Sequence, residues 1–133
     1  FFEQKNFPTD MAVIGMGVIG LELGQSLSRM DINVTGFDAA TTIGGLDDEA
    51  TSKVAHQLIS KEFPIHLGQA AELSQEGDKI RVTTDEQSVL VDQVLVSIGR
   101  RPNLAHLKLE NAGVTLNNAG LPDFNNNTMR IED

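Results

Sequence analysis

Three glycines, Gly15, Gly17 and Gly20, stand in the spacing G-x-G-x-x-G, and Asp38 follows eighteen residues after the last of them. Each glycine serves a separate physical end. The first permits a tight turn, the second lets a pyrophosphate approach backbone bare of a side chain, and the third lets a helix pack closely on a strand. N–H groups of the first helical turn then face the phosphates, assisted by the positive end of the helix dipole. A carboxylate at the end of the next strand accepts hydrogen bonds from adenosine ribose hydroxyls and repels a 2′-phosphate. No Arg or Lys follows Asp38 before Lys53, so nothing nearby in the chain neutralises such a phosphate, and the pattern favours NAD over NADP. The alternatives are a β–α turn that is glycine-rich only for packing and a strand-end acid that only shapes a turn.

The motif needs a strand leading into it and a helix leaving it. Residues 11–15 (MAVIG) are a short continuous apolar run closed by glycine, as a buried parallel strand requires. Over residues 18–30 the apolar positions recur mostly at three- and four-residue spacing, which predicts a helix. Residues 32–38 alternate apolar and polar and end on the acid, so strand, helix and strand form a βαβ unit. Residues 41–46 read as loop. Asp47 is then the expected N-cap of a helix running to about Phe63. A short strand follows from Pro64, and residues 70–73, 79–84 and 88–91 read as a three-stranded antiparallel meander with turns at Gly77–Asp78 and Asp85–Glu86. Residues 93–98 (QVLVSI) form a last buried strand. The remainder, rich in Pro and Asn, is expected to be mostly irregular. The fold expected is α/β, a Rossmann-like parallel sheet flanked by helices with an antiparallel crossover meander.

Composition narrows the function classes. The 133 residues suit about one domain, since domains run roughly 50–200 residues. Ten basic and nineteen acidic side chains give a net charge of −9, which disfavours nucleic acid and anionic membranes as partners. No apolar run approaches the ~20 residues that span a bilayer. There is no cysteine, so disulfides, thiolate metal sites and a cysteine nucleophile are excluded within these residues. His56, His66 and His106 fit no metal-ligand spacing and are read as surface or packing residues. Ser97 lies in a strand ending in glycine rather than in a G-x-S-x-G elbow. No catalytic or metal-ligating residue is therefore assigned. The opening FFEQKNFPTD lacks the order of a signal peptide, and the chain is expected to be a processed product or an excised piece of something larger.

Four blocks, AVIGMGVIGLELGQSLSRM, NVTGFDAA, DQVLVSIGRRPN and LKLENAGVTLNNAG, resemble in order and spacing the central NAD-binding domain of the pyridine nucleotide–disulfide oxidoreductases, most of all the dihydrolipoamide dehydrogenase branch. The resemblance implies a longer parent with an FAD domain, this NAD domain and a dimerisation domain. In it, nicotinamide exchanges hydride with FAD during dihydrolipoamide–lipoamide interconversion. The flavin-domain glycine motif, the CxxxxC pair and the His-Glu motif of that family are not among these residues. The implied organisation is a linker from the FAD domain over 1–10, the NAD domain over 11–122, and a return segment over 123–133. The implied parent is a cytoplasmic homodimer, and the piece alone is expected to bind NAD but not FAD and to be inactive. A stand-alone NAD-responsive binding module, or a related disulfide reductase with another substrate, remains the alternative.

Residue by residue, Gly15, Gly17 and Gly20 match the family's pyrophosphate turn. Asp38 stands where lipoamide enzymes usually carry Glu, a change that keeps the charge. Val18 and Ile19 match positions bordering the nicotinamide. Glu22 matches a glutamate between nicotinamide and flavin that pairs with a lysine of the flavin domain, so here it is expected to be partly exposed; the other reading is an ordinary surface residue. Gly99 and Arg100 match the element after the last strand where backbone approaches the cofactor, whereas Arg101 is read as a solvated charge. Ala71 falls near the position that brackets adenine. Asp31 replaces a helix-ending glycine, from which a looser helix end is expected.

Overall fold

In the computed structural model, which describes residues 6–131, a parallel sheet in the order β3 (Ile65–Leu67), β2 (Asn33–Asp38), β1 (Asp10–Ile14), β7 (Gln93–Val96) organises the chain as far as Gly99. The elements are β1 (Asp10–Ile14), α1 (Val18–Ser28), β2 (Asn33–Asp38), α2 (Glu49–Ile59), β3 (Ile65–Leu67), β4 (Glu72–Glu76), β5 (Lys79–Thr83), β6 (Ser88–Val91) and β7 (Gln93–Val96). Strands β4, β5 and β6 form the antiparallel meander. The expected Rossmann-like architecture is thus observed. Residues 1–5 of the expected linker and 132–133 of the expected return segment lie outside the described residues.

The apolar run of β1 follows from burial on both faces. Met11 and Val13 join Leu21 and Leu27 of α1, Val34 of β2, Phe63 and Ile65 in one core, against which Ala55 and Ile59 of α2 also pack. Ala12 belongs to a second core with Phe37 of β2, Val82 of β5 and Val91 of β6. Helices therefore cover one face of the sheet and the meander covers the other. Each fully buried side chain such as Phe37 or Leu27 contributes about 2–3 kcal/mol. At the end of the sheet where β1 begins, Asp92 ties the meander to the strand starts. Its Oδ2 accepts the N–H groups of Thr9 and Asp10, both at 3.0 Å, and its Oδ1 lies 2.9 Å from Lys79 Nζ. The Asp10 N–H and then the Lys79 ammonium hold the Asp92 carboxyl below its ordinary range.

Four local differences from the sequence expectations have physical causes. Asp48, not Asp47, caps α2, because its Oδ1 accepts the Thr51 N–H at 2.7 Å, three residues on. The helix stops at Ile59 rather than near Phe63. Phe63 precedes Pro64, where helical backbone is disfavoured, and it is buried beside α1, where a Cβ on Gly24 would lie 2.8 Å from its ring. Strand β4 falls at 72–76 instead of 70–73 because all five of its residues are exposed, so no apolar alternation marks it. Pairing through the Gly77–Asp78 turn, with Glu76 opposite Lys79, sets its register.

The fourth difference concerns the end of α1, which is tight rather than loose. Ile32 N–H bonds to Leu27 O at 3.2 Å and Asp31 N–H to Ser28 O at 3.1 Å, the pair of bonds of a Schellman ending, and both Leu27 and Ile32 are buried in the same core. Asp31 adopts φ 62° to allow it. Asp31→Gly should therefore stabilise the chain by about 0.5–1 kcal/mol, because relief of left-handed strain exceeds the added chain entropy. Denaturation followed by circular dichroism tests this, and an unchanged or lower midpoint would remove the strain argument.

Residues from Arg100 onward form a second compact unit. It holds two short 3₁₀ turns, Ala105–Leu107 and Leu109–Ala112, and two isolated bridges, Leu116 to Pro122 and Phe124 to Ile131. This largely irregular character matches the sequence expectation. Among the described residues, no helix is long and apolar enough to cross a membrane.

Candidate functional site

The carboxyl ends of β1 and β2 open on a cleft of about 380 Å³ in the first unit. Gly15, Gly17, Asp38 and Ala71 line it, together with Ile14, Phe37, Ala39, Ala70, Ser97 and Ile98. Open parallel sheets bind ligands at this end, where neighbouring connections diverge to opposite faces. Here β1 leads into α1 on one side, and β7 arrives from the meander on the other.

Gly15 makes the turn. Its φ is 97°, and a Cβ there would stand 2.6 Å from the Ser97 carbonyl oxygen. Gly17 is the N-cap of α1 and has no atom within 4 Å of where a Cβ would sit, so the cleft reaches its backbone. No side chain caps α1 and no acid lies in its first turn. By contrast, α2 is closed by its own Asp48 and carries Glu49 in its first turn. The N–H groups at the start of α1 are thus available to an anion. No basic side chain lines the cleft among the described residues.

Asp38 stands at the end of β2 with its carboxylate turned to the glycine turn. Oδ2 accepts the Met16 N–H at 2.5 Å and Oδ1 accepts the Ala40 N–H at 2.9 Å. A carboxylate offers about four acceptor sites, so these two bonds leave capacity for hydroxyl donors. The loop after β2 adds a further brace, since Gly44 N–H bonds to Met16 O at 2.7 Å.

The other sequence-selected residues fall elsewhere. Gly20 is buried in α1 against the turn, where a Cβ would overlap the Gly15 carbonyl oxygen, so its task is close packing. Val18, Ile19 and Glu22 are exposed on α1, with Val18 60% and Ile19 46% accessible. Gly99 has φ 115° and open space at its Cβ position. Arg100 is exposed and belongs to the second unit. His66 stacks on Phe37 with ring centroids 5.3 Å apart, and His56 Nε2 lies 3.3 Å from Ile65 O. Among the described residues no group of three or more potential metal ligands comes together.

Sequence reasoning missed Ser97, Ile98, Ala39 and Ala70 as cleft residues. The one legible signal was a hydroxyl, Ser97, at the end of the last apolar run, two residues before Gly99. The small residues at 39 and 70 carry no signal of their own, because only the fold brings the end of β2 to the approach to β4.

A parallel sheet crossed by a helix behind an open glycine turn, with an acid at the next strand end, defines the Rossmann-like class of α/β domain. The family model described as pyridine nucleotide-disulphide oxidoreductase matches residues 1–132, and the chain belongs to this family. It is 34% identical over 126 residues to the mitochondrial dihydrolipoyl dehydrogenase of Dictyostelium discoideum, covering 87% of this chain and 26% of that protein. The Cu(II) complex of the HOCl-induced flavoprotein disulfide reductase RclA from Escherichia coli superposes with a TM-score of 0.78 at 25% identity, over 92% of this chain and 28% of that one. The water-forming NADH oxidase from Lactobacillus brevis bound to NADH does so with a TM-score of 0.72 at 27% identity, over 85% and 25%. The chain spans about a quarter of the length of the curated relatives it matches.

Proposed function

We propose that this domain binds NAD(H) in the cleft behind Gly15 and Gly17 and orients its nicotinamide for hydride exchange with FAD in a dihydrolipoyl dehydrogenase-like parent. One observation carries the reading: the open N-terminus of α1, reached past a bare Gly17, faces the same cleft as the Asp38 carboxylate. When bound, the dinucleotide supplies the hydride chemistry. The chain's own residues do the holding. Backbone N–H groups at the start of α1 take the pyrophosphate, Asp38 accepts from the ribose hydroxyls, and the small, apolar surface of Ala39, Ala70 and Ala71 receives the adenine. In this reading Val18 and Ile19 border the nicotinamide, Glu22 lies toward the flavin, and Gly99 and Arg100 border the cofactor beyond β7. Val18, Ile19 and Ile98, all apolar and exposed, the last at 74%, support a surface completed by the FAD domain. The parent is proposed to be a cytoplasmic homodimer, and the domain by itself to bind no FAD and to be inactive. The likeness to the L. brevis NADH oxidase bound to NADH supports NAD as the dinucleotide.

Calorimetric titration tests the choice of cofactor. The wild-type chain should bind NADH at least about tenfold more tightly than NADPH, roughly 1.4 kcal/mol. Asp38→Asn should bring the two within about threefold, because the charge that repels a 2′-phosphate is gone. Asparagine is the informative replacement, since its one oxygen still accepts the Met16 N–H, and only the Ala40 N–H bond is lost. Equal binding of NADH and NADPH by the wild type, or an unchanged ratio in Asp38→Asn, would defeat the assignment.

A further inference from the structure

The carbonyl of Gly15 and the N–H of Met16 belong to one planar peptide unit and point to opposite sides of it. The Ser97 Oγ–H, just beyond the end of β7, donates to Gly15 O at 2.9 Å, with Ile14 O a second acceptor at 3.1 Å. The Met16 N–H donates to Asp38 Oδ2 at the end of β2. These two side chains reach that peptide from the strands on either side of β1. The main chain braces the same place, since Ser97 N–H bonds to Ile14 O at 2.7 Å and Gly15 N–H to Phe37 O at 2.8 Å.

We infer that Ser97 is a positioning residue for dinucleotide binding: with Asp38 it clamps the Gly15–Met16 peptide from both neighbouring strands and so sets the plane from which the Gly17 backbone and the start of α1 face the cleft. The inference deepens the NAD(H) reading and rests on it for the ligand. Rotation of this peptide moves its carbonyl and its N–H together, so releasing one end loosens the bond at the other. Ser97 thus acts on Met16 without touching its N–H. Ser97→Thr keeps the hydroxyl, whereas Ser97→Ala leaves the Gly15 carbonyl without that donor.

The test is amide hydrogen exchange on the unliganded chain, read at Met16, with the core amides of Val13 and Val34 as the internal standard. Ser97→Ala should speed exchange at Met16 by about tenfold or more while Val13 and Val34 change little, and Ser97→Thr should restore wild-type protection. In parallel, Ser97→Ala should weaken NADH binding by about three- to tenfold, the scale of one lost hydrogen bond, with Ser97→Thr near wild type. Unchanged Met16 protection in Ser97→Ala would overturn the clamp. So would a loss of protection shared equally by Val13 and Val34, whereas a faster Met16 amide with unaltered NADH affinity would overturn the role in dinucleotide binding. If the wild-type chain takes up no NADH, the NAD(H) reading fails and with it the role in binding, while exchange at Met16 still decides whether the clamp exists.

Discussion

Replacing Gly20 by alanine should destabilise the chain by about 4 kcal/mol or more, a size reserved for overpacking or backbone displacement. Helix propensity argues the other way, since alanine in a helix interior is favoured over glycine by about 1 kcal/mol. Sterics win because the obstacle is backbone. A Cβ at residue 20 would overlap the Gly15 carbonyl oxygen and approach Ser97 Oγ to 2.8 Å. Neither neighbour can turn aside cheaply: the carbonyl accepts the Ser97 hydroxyl, and the N–H of the same peptide is held by Asp38. To admit the methyl group, α1 must move away from β1, opening the core that Leu21 and Leu27 share with Met11 and Val13. Against a typical total stability of about 5–15 kcal/mol, this loss is a large fraction and would lower the denaturation midpoint strongly. The chain has neither Trp nor Tyr, so urea denaturation is best followed by far-ultraviolet circular dichroism. A midpoint equal to or above that of the wild type would show that the helix and turn are not in the close contact described.

Gly17→Leu should do the converse, leaving the fold in place while lowering NADH affinity by about 100-fold or more, roughly 2.7 kcal/mol. The residue has φ −67° and ψ −177°, extended backbone open to any residue, and its Cβ position has no neighbour within 4 Å. The cost to folding is confined to a poorer N-cap, about 1 kcal/mol or less. Gly17 lines the cleft and its Cβ position is open, so a bulky side chain there should keep a pyrophosphate from the first N–H groups of α1. Titration with NADH, alongside the denaturation midpoint, separates the two effects. Wild-type affinity in Gly17→Leu would remove the pyrophosphate from this turn. Unfolding as severe as that of Gly20→Ala would mean that the space at Gly17 is not free.

These two substitutions mark where reading the residues in order succeeds and where it stops. The spacing of Gly15, Gly17 and Gly20 between an apolar run and an amphipathic stretch foretold β1, the turn and α1. The alternation ending on Asp38 foretold β2, and the second apolar run foretold β7. Such signals are local: period, turn chemistry and capping act within a few residues. Strand β4 escaped because its sequence ELSQE is exposed throughout, and its position depends on β5. The end of α2 escaped because Phe63 continues the apolar pattern after the helix has stopped.

The site divides in the same way. Residue order alone pointed to the glycine turn and the strand-end acid as a candidate site, because each depends on residue type at a short, fixed spacing. Packing in three dimensions decided that Asp38 holds Met16 as well as facing the cleft, and that Ser97 braces a peptide 82 residues away. That last bond exists only because β7 returns to pair beside β1. A hydrogen bond between strand ends depends on which strands are neighbours and in what register, and no local property of either segment encodes that.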